Sequence, residues 1–375
     1  MTKSNRHCRA CNSIEIVELE SYSELHRVTS DCRSLNKYGK LYYCSGCGLC
    51  QKIISESMEE ELQTLYETYE TYKDNIEPVI FSSDITEARS SLILNKIREV
   101  KTLKKTGIHV DVGCGDGSFL RVFSEVYPGW EQFGFDVNEL RRQEIEAVCG
   151  VGRFIPKSLD NIPDQVDLIT INYVLEHIDK VDEFLSVLVK KLDRKGSIVL
   201  VVPDLDRNPF DIVVADHLSH YTKETLLEQL SMYSINCVKQ FLQKELMVWI
   251  QRERTCKIGV LRNRSKCVNA GKHAIQFLLN VRRHASSESQ NAKAFGVFGT
   301  AIAGTWLGSE LENRINFFVD ENSKKSGKLH LGKVILQPTE IPNGSSVYLP
   351  FTKNTAVAIK ERLEYVERNK FIVPE

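Results

Sequence analysis

The stretch "VDVGCGDGSF", residues 110–119, constrains the fold of this chain more than any other part of its sequence. An apolar strand pattern runs into a turn with glycine at positions 113, 115 and 117, and a helix pattern begins directly after the turn. Glycine permits the backbone conformations of such a turn, and the N–H groups at the start of the helix can face a ligand. The stretch therefore predicts a ligand-binding strand–turn–helix unit.

Helix and strand patterns alternate after this turn, up to the strand pattern "SIVLVVP" at residues 197–203. Such alternation is typical of a parallel, doubly wound sheet. A second pattern of this kind begins with "AFGVFGTAIAG", residues 294–304, and continues through "FFVDEN". The predicted fold class is α/β, with a central doubly wound Rossmann-like sheet and a smaller C-terminal Rossmann-like domain. The second glycine pattern fits a structural domain as well as a nucleotide-binding one.

Six of the eleven cysteines precede residue 51, and four of them form two CxxC pairs about thirty residues apart. This spacing predicts an N-terminal zinc-binding domain with one structural zinc ion. The predicted ligands are Cys8, Cys11, Cys44 and Cys47. Cys32 and Cys50 leave the ligand set open, because "CSGCGLC" contains two overlapping pairs. The alternatives are buried thiols without a metal and a redox-active pair.

Charge and composition exclude several classes of function. The 49 basic and 50 acidic residues leave a net charge of −1, which argues against a general surface for nucleic acid or anionic membrane. No apolar run approaches the roughly 20 residues of a membrane-spanning helix, and the polar N-terminus lacks a secretory signal. We therefore expect a cytoplasmic protein of two or three domains. We expect no membrane partner, and nucleic acid is an unlikely partner.

The glycine turn has the form DxGxGxG, which resembles motif I of class I S-adenosylmethionine methyltransferases and is made by Asp111, Gly113, Gly115 and Gly117. The resemblance implies that Asp136, at the end of the next strand, accepts hydrogen bonds from the ribose hydroxyls. The segment "INYVLEHI" resembles the fourth-strand segment of the family, which places Asn172 near the methionine end of the cofactor and Glu176–His177 at the mouth of the pocket. For the turn alone, a generic turn or an NAD site is the alternative.

The order of parts resembles the nucleotide-sugar C-methyltransferases, and the segments that carry this resemblance cover nearly the whole chain: "CRAC", "YCSGCGLCQ", "DVGCGDGSFL", "NYVLEHI", "HLSHYTKETL", "GVFGTAIAG", "FFVDEN" and "FIVPE". The resemblance implies methyl transfer to carbon 3 of a keto-sugar on a nucleoside diphosphate. The predicted parts are a zinc-binding domain (1–55), a helical connector (56–105), the methyltransferase domain (106–250), a basic helical connector (251–293) and a C-terminal substrate-binding domain (294–375).

Methylating a carbon beside a ketone needs a base for the carbon-bound proton, a donor for the enolate oxygen and an aligned methyl group. The family's Glu-His pair maps onto Asp216–His217, and a second family histidine maps onto His177. Val214 stands where the family has a tyrosine before the pair. The family has a further tyrosine near an acidic helix pattern, which is "SESMEEELQTLYETYETYKD" in this chain, and Tyr72 or Tyr69 matches it.

Several alternatives stay open at these positions. His217 could belong to a merely polar loop, and His177 could only help to form the cofactor pocket. His220 and Tyr221 are expected to pack at the start of a helix with Thr222 as its N-cap. The leading prediction is base-assisted C-methylation, and the predicted small-molecule substrate is a nucleotide-sugar. The alternatives are an O- or N-methyltransferase for a saccharide or polar metabolite, a zinc-finger RNA methyltransferase and a non-enzymatic cofactor-binding scaffold.

Overall fold

The computed structural model describes residues 7–35, 38–67, 79–81, 86–148, 150–241, 244–252, 264–366 and 368–375. It contains a seven-stranded and a six-stranded sheet, both largely parallel, together with a small four-stranded sheet. The predicted α/β class, with a central doubly wound sheet and a smaller C-terminal Rossmann-like sheet, is therefore confirmed. Across the described ranges, no helix combines the length and apolar character needed to span a membrane.

The segment before residue 52 forms short antiparallel strands. Strand β1 (Ile16–Glu18) pairs with β4 (Tyr42–Cys44), β4 pairs with β5 (Cys50–Gln51), and β2 (Arg27–Val28) forms a hairpin with β3 (Ser34–Leu35). The chain then continues through helix α1 (Glu56–Glu67), the paired strands β6 (Val79–Phe81) and β7 (Thr86–Ala88), and helix α2 (Arg89–Val100).

The central part of the chain alternates strands and helices, as the sequence predicts. Its elements are β8 (Gly107–Val112), α3 (Ser118–Val126), β9 (Trp130–Asp136), α4 (Arg142–Glu146), β10 (Val151–Pro156), β11 (Val166–Asn172), α5 (Val181–Lys191), β12 (Leu192–Pro203), β13 (Ser219–His220), α6 (Lys223–Gln229), β14 (Ser234–Phe241) and β15 (Glu245–Gln251). The sheet order is β10-β9-β8-β11-β12-β15-β14, and only the pairs that involve β15 are antiparallel.

The central strands are buried on both faces. In β12, Ile198 and Leu200 pack into one core cluster, whereas the alternate residues Val199 and Val201 pack into the cluster on the opposite face. This is why the strand reads as an unbroken apolar run. The strand order reverses beside β8, with β9 on one side and β11 on the other, so a crevice opens at the carboxyl ends of these strands.

The helix pattern "VDEFLSVLVKKLDRKG", residues 181–196, belongs to the predicted alternation, but the helix that it forms in the structure is shorter. Helix α5 ends at Lys191, and the next five residues already belong to β12, where Leu192 pairs with Val166 before the register shifts. The ladder with β11 decides this boundary, and the amphipathic pattern of α5 gives no sign of it. On the far side of the loop, the prediction for Thr222 is confirmed, because its side chain accepts the N–H of Thr225 in a capping box.

The last third of the chain forms the second sheet. Its elements are α7 (Arg264–Gln290), β16 (Phe295–Phe298), α8 (Ile302–Leu311), β17 (Phe317–Val319), β18 (Leu329–His330), β19 (Lys333–Leu336), β20 (Ser346–Tyr348), α9 (Lys353–Arg362) and β21 (Lys370–Ile372). The order is β18-β19-β17-β16-β20-β21, with only β18 antiparallel. Helix α8 is buried on all sides, and Gly304 lies so close to the backbone of Gly299 that a Cβ would meet its carbonyl oxygen.

Helix α7 connects the N-terminal and C-terminal parts. Its buried residues Ala274 and Leu278 belong to one core cluster with Tyr22 of the N-terminal segment and Trp306 of α8. The Tyr22 hydroxyl also donates to the carbonyl oxygen of Ile212 at 2.8 Å, in the loop that follows β12. The N-terminal segment, the loop after β12 and the C-terminal sheet therefore share a core.

Candidate active site

The glycine turn between β8 and α3 is fixed against two neighbouring segments. The backbone N–H groups of Gly113 and Cys114 both donate to the carbonyl oxygen of Phe135 in β9, at 2.7 and 3.0 Å. Gly113 has a φ of 76°, and a Cβ there would lie 2.2 Å from Cγ2 of Val174. Glycine is thus required at this position by both its backbone conformation and its contact. Gly115 and Gly117 also have positive φ.

Asp111, predicted at the start of the motif, is an internal residue of the crevice. Its Oδ1 accepts hydrogen bonds from the Thr170 hydroxyl at 2.6 Å and from Nδ2 of Asn172 at 3.4 Å. Burial raises the pKa of Asp111 to about 7. These bonds tie the carboxyl end of β8 to that of β11, so Asp111 positions the floor of the crevice.

Two predicted cofactor residues offer acceptors at the crevice. The Asp136 carboxylate, at the end of β9, accepts the N–H of Gly115 at 3.0 Å and the N–H of Asn138 at 2.9 Å. A carboxylate has about four lone-pair positions, so each oxygen can accept one more hydrogen bond. The Oδ1 atom of Asn172 is buried without a hydrogen-bond partner among the described residues. The arrangement can therefore bind a diol at Asp136 and a cationic donor at Asn172.

A second group of polar residues lies in the loop after β12, in the short 3₁₀ helix Pro209–Val213 and the residues that follow it. Nδ1 of His217 lies 2.7 Å from Oδ1 of Asp211, and Nδ1 of His220 lies 2.6 Å from Oδ2 of the same carboxylate. Burial acts to raise the pKa of Asp211. The charges of the two histidine rings and their hydrogen bonds outweigh this effect and hold the pKa well below its usual value. Asp211 was not predicted from the sequence, although it precedes His217 by only six residues.

The pKa values of the two predicted histidines move in opposite directions. Burial and the nearby His217 lower the pKa of His177 to about 4. Burial also acts to lower the pKa of His217, but the charge of Asp211 and its hydrogen bond raise it above the usual value. The ring centroids are 4.7 Å apart in an edge-to-face arrangement. Pairs of titratable groups with divergent pKa values are typical of acid–base sites.

Asp216 and His217, predicted as a pair, have different partners. Asp216 accepts the backbone N–H of Ser30 at 2.9 Å and also the Ser30 hydroxyl. Nδ1 of His177 lies 2.9 Å from the backbone carbonyl oxygen of Asp216 and 3.4 Å from its Oδ2. The structure thus brings His177, Asp216 and His217 together, but the carboxylate that orients His217 belongs to Asp211. Tyr72 and Tyr69 lie outside the described residues.

The carboxyl group of Glu176 is buried at this site without a hydrogen-bond partner among the described residues. Burial raises its pKa to about 7. One acid–base atom each of Glu176, His177 and His217 lies within 4.8 Å of the others, close enough for one substrate group or one ion to touch all three. A protonated carboxylic acid in this position can donate a hydrogen bond.

The four predicted zinc ligands converge at one end of the small N-terminal sheet. Their sulfur atoms all lie within 4.8 Å of one another, with Cys8 Sγ 3.5 Å from Cys47 Sγ and Cys11 Sγ 3.6 Å from Cys44 Sγ. Sulfurs bound tetrahedrally at 2.3 Å from one zinc ion lie about 3.8 Å apart. The Cys50 sulfur instead lies against Gly271 of α7, where a Cβ would meet it at 2.5 Å. The four sulfurs can therefore bind one metal ion.

The cysteine segment contacts the histidine loop directly. Strand β13, which contains His220, pairs with β5 and becomes the fourth strand of the N-terminal sheet. Arg9, between the first two cysteines, donates from Nη1 to the carbonyl oxygens of Lys52 at 2.6 Å and Leu218 at 3.2 Å. Nothing in the sequence pattern pairs these segments, because about 170 to 210 residues separate the contacting positions.

Residues 85–240 match a protein-family model described as a methyltransferase domain. A comparison with curated proteins gave no match. Among solved structures, a protein from Pyrococcus horikoshii is 15% identical, with 51% of this chain and 99% of that chain covered and a TM-score of 0.39. An S-adenosylmethionine-dependent methyltransferase from Aquifex aeolicus is 16% identical, with 43% and 91% covered and a TM-score of 0.37. The family match confirms the predicted enzyme class: the chain contains an S-adenosylmethionine-dependent methyltransferase domain.

Proposed function

We propose that this methyltransferase adds a methyl group to a carbon atom of a keto-sugar carried on a nucleoside diphosphate. The observation that carries the proposal is the acid–base group of Asp211, His217 and Glu176, which lies after the carboxyl ends of two adjacent parallel strands. Ligands of such sheets bind at this edge. The domain order supports the nucleotide-sugar part of the proposal, with residues 294–375 as the substrate-binding domain and 1–55 as the zinc-binding domain.

The cofactor residues are assigned from their free acceptors. Asp136 would bind the two ribose hydroxyls of S-adenosylmethionine, and the buried Oδ1 of Asn172 would accept from its amino group. The glycine turn would let the cofactor approach the backbone closely, because Gly113, Gly115 and Gly117 have no side chains. Bound S-adenosylmethionine supplies the methyl group, whose carbon–sulfur bond breaks with its electron pair left on sulfur.

Replacing Asp136 with alanine should weaken the binding of S-adenosylhomocysteine by at least about tenfold, because two hydrogen bonds to a charged acceptor are lost. Isothermal titration calorimetry measures this Kd directly. Asp164→Ala is the matched control, since that side chain is 81% exposed and pairs only at the surface with Lys191. Equal affinities in both variants would remove Asp136 from the cofactor site.

The roles of the acid–base residues follow from their hydrogen bonds. Nδ1 of His217 is engaged by Asp211, which leaves Nε2 to take the proton from the carbon beside the ketone. The electron pair of that C–H bond moves into the acceptor as an enolate, and the enolate carbon forms the new bond to the methyl group. Glu176, whose pKa burial raises to about 7, would in its protonated form donate to the enolate oxygen.

Two experiments in heavy water test the type of methylation. Incubation of nucleoside-diphosphate keto-sugars with the enzyme and S-adenosylhomocysteine should replace the acidic carbon-bound proton with deuterium, because the enolate forms without methyl transfer. With methyl-labelled S-adenosylmethionine, nuclear magnetic resonance should then show a new methyl–carbon bond. A labelled product without exchange of the carbon-bound proton would contradict the C-methylation proposal.

O-methylation of a saccharide hydroxyl is the second candidate. Val214, which is buried, stands where the resembling family has a tyrosine, so this site lacks one hydroxyl expected for that acceptor. His217 could take a proton from a hydroxyl by the same geometry. The labelled methyl group would then appear on oxygen, and the acceptor would keep all its carbon-bound protons.

The cysteine cluster is proposed as a structural zinc site. Cys8, Cys11, Cys44 and Cys47 would each bind the ion through a thiolate, which fills a tetrahedral site and leaves no position for substrate. The ion would therefore hold the N-terminal segment in place and take no part in methyl transfer.

A further inference from the structure

We propose that Lys52 and His220 are positioning residues of the methyl-transfer site, which act through Asp211 to hold His217 with Nδ1 protonated and Nε2 free. The inference rests on the proposed role of His217 as the base. It adds a residue from the cysteine-rich segment to the acid–base machinery of the central domain. Neither residue was expected to act there, since His220 was predicted only to pack at a helix start.

Four side chains form a continuous row of hydrogen bonds. Nζ of Lys52 lies 3.1 Å from Nε2 of His220, whose Nδ1 lies 2.6 Å from Asp211. The other oxygen of Asp211 lies 2.7 Å from Nδ1 of His217. Lys52, Asp211 and His220 are at most 2% exposed, and His217 is 8% exposed. The row therefore begins in the interior and ends at the residue that water or an acceptor can reach.

Counting donors and acceptors assigns the protons. Lys52 donates to the carbonyl oxygens of Val214 at 2.6 Å and His217 at 2.9 Å, and its third contact is Nε2 of His220. Burial lowers the pKa of Lys52 to about 7, and in its ammonium form the side chain has three donors, so Nε2 of His220 accepts the third one. The proton of neutral His220 is then on Nδ1 and is donated to Asp211. Burial lowers the pKa of His220 to about 4, which keeps this ring neutral.

The same assignment fixes the tautomer of His217. With one oxygen of Asp211 bound by His220, the other oxygen accepts from Nδ1 of His217. Nε2 of His217 makes no hydrogen bond within the described structure and keeps its lone pair when the ring is neutral. A base must present an unprotonated nitrogen to its substrate, and orienting partners decide which nitrogen that is.

The backbone of Lys52 is also fixed by a hydrogen bond. Lys52 follows β5, its N–H donates to the carbonyl oxygen of Leu218 at 2.9 Å, and β5 pairs with β13. Because Lys52 also donates to the carbonyl oxygens of Val214 and His217, it fixes the backbone on both sides of Asp216. When Lys52 is protonated, its charge and that of the Asp211 carboxylate balance across the neutral His220, which reduces the cost of burying either one.

The test compares ring protonation and turnover in Lys52→Met, His220→Phe and the double variant, all in the full chain with S-adenosylhomocysteine bound. Nitrogen-15 spectra of labelled histidine should show the Nδ1–H form of His217 and His220 in the unmodified protein. Either single change should populate the second tautomer of His217 and lower kcat by up to about 100-fold. The double variant should lose no more than the worse single one, since both act through Asp211. Lys40→Met, at an exposed lysine of the same segment, should change neither quantity.

The outcomes separate this inference from the proposed function. An Nε2–H form of His220 in the unmodified protein, or an unchanged His217 tautomer in both single variants, overturns the inference whatever the acceptor is. The spectra of the unmodified protein decide the first point even if a variant does not fold. A changed tautomer with unchanged kcat would show that the row exists without serving catalysis, which also overturns it. Failure of the proposed function would appear instead as a labelled methyl group on oxygen, or as full activity of a variant without the His217 ring.

Discussion

His217→Ala should lower kcat by roughly 10²–10⁴-fold while S-adenosylhomocysteine binds with unchanged affinity. The alanine removes the nitrogen that takes the acceptor proton, and His177 is a much weaker base because burial and the nearby His217 lower its pKa to about 4. Steady-state kinetics and calorimetry on the same preparation separate the two effects. His273→Ala is the matched control, since that histidine is exposed on helix α7.

The pH profile gives a second check on the same residue. The base acts when neutral and Glu176 donates when protonated, so kcat/KM should rise with pH through the pKa of His217 and fall again through the pKa of Glu176, at about 7. Asp211 holds the pKa of His217 above the usual histidine value against the effect of burial, so in Asp211→Asn the acidic limb should move to lower pH while the maximum falls. A profile that stays in place in Asp211→Asn, or a His217→Ala variant with full activity, would contradict the assignment of His217 as the base.

Cys44→Ser should remove the bound zinc and lower the unfolding temperature by roughly 10 °C, because the free energy of metal binding contributes to folding. Turnover should fall more steeply than cofactor affinity. The reason is structural: Cys44 ends β4, which pairs with β5, and β5 holds the strand that contains His220. Metal analysis, thermal unfolding and calorimetry together measure the three effects.

Cys32→Ser is the control for the cysteine prediction. This cysteine lies in the same segment but outside the group of four converging sulfurs, so its variant should retain one equivalent of zinc. A Cys44→Ser protein with unchanged metal content would show that the four sulfurs do not form the binding site. Full zinc loss without any loss of turnover would show that the ion does not support the histidine loop.

The parts of the site that could be predicted from sequence are those set by local pattern. The glycine turn, Asp136 at a strand end and the N-cap Thr222 each follow from residues that are close together in the chain. The carboxyl ends of parallel strands also meet at one edge, so His177 and His217 were predictably neighbours. For these elements a period, a turn and a capping residue carry enough information.

The partners that decide the chemistry could not be predicted in this way. Asp211 lies in an apolar segment, "NPFDIVV", and only the three-dimensional structure shows that it points between two rings. Lys52 reaches His220 across 168 positions, and Ser30 reaches Asp216 across 186. Such contacts depend on how the N-terminal sheet packs against the loop. The hydrophobic pattern of neither segment predicts that packing.

The strand shared between the N-terminal sheet and the histidine loop limits how the enzyme can be divided. A fragment of residues 106–250 would keep the glycine turn, Asp136 and Asn172, but β13 would lose β5 as its partner, and Asp211 would lose the cation that balances it. Such a fragment would retain the cofactor crevice and lose the shape of the acceptor side. We therefore expect catalysis to need the N-terminal segment together with residues 106–250, because a β-ladder and not a linker joins the two.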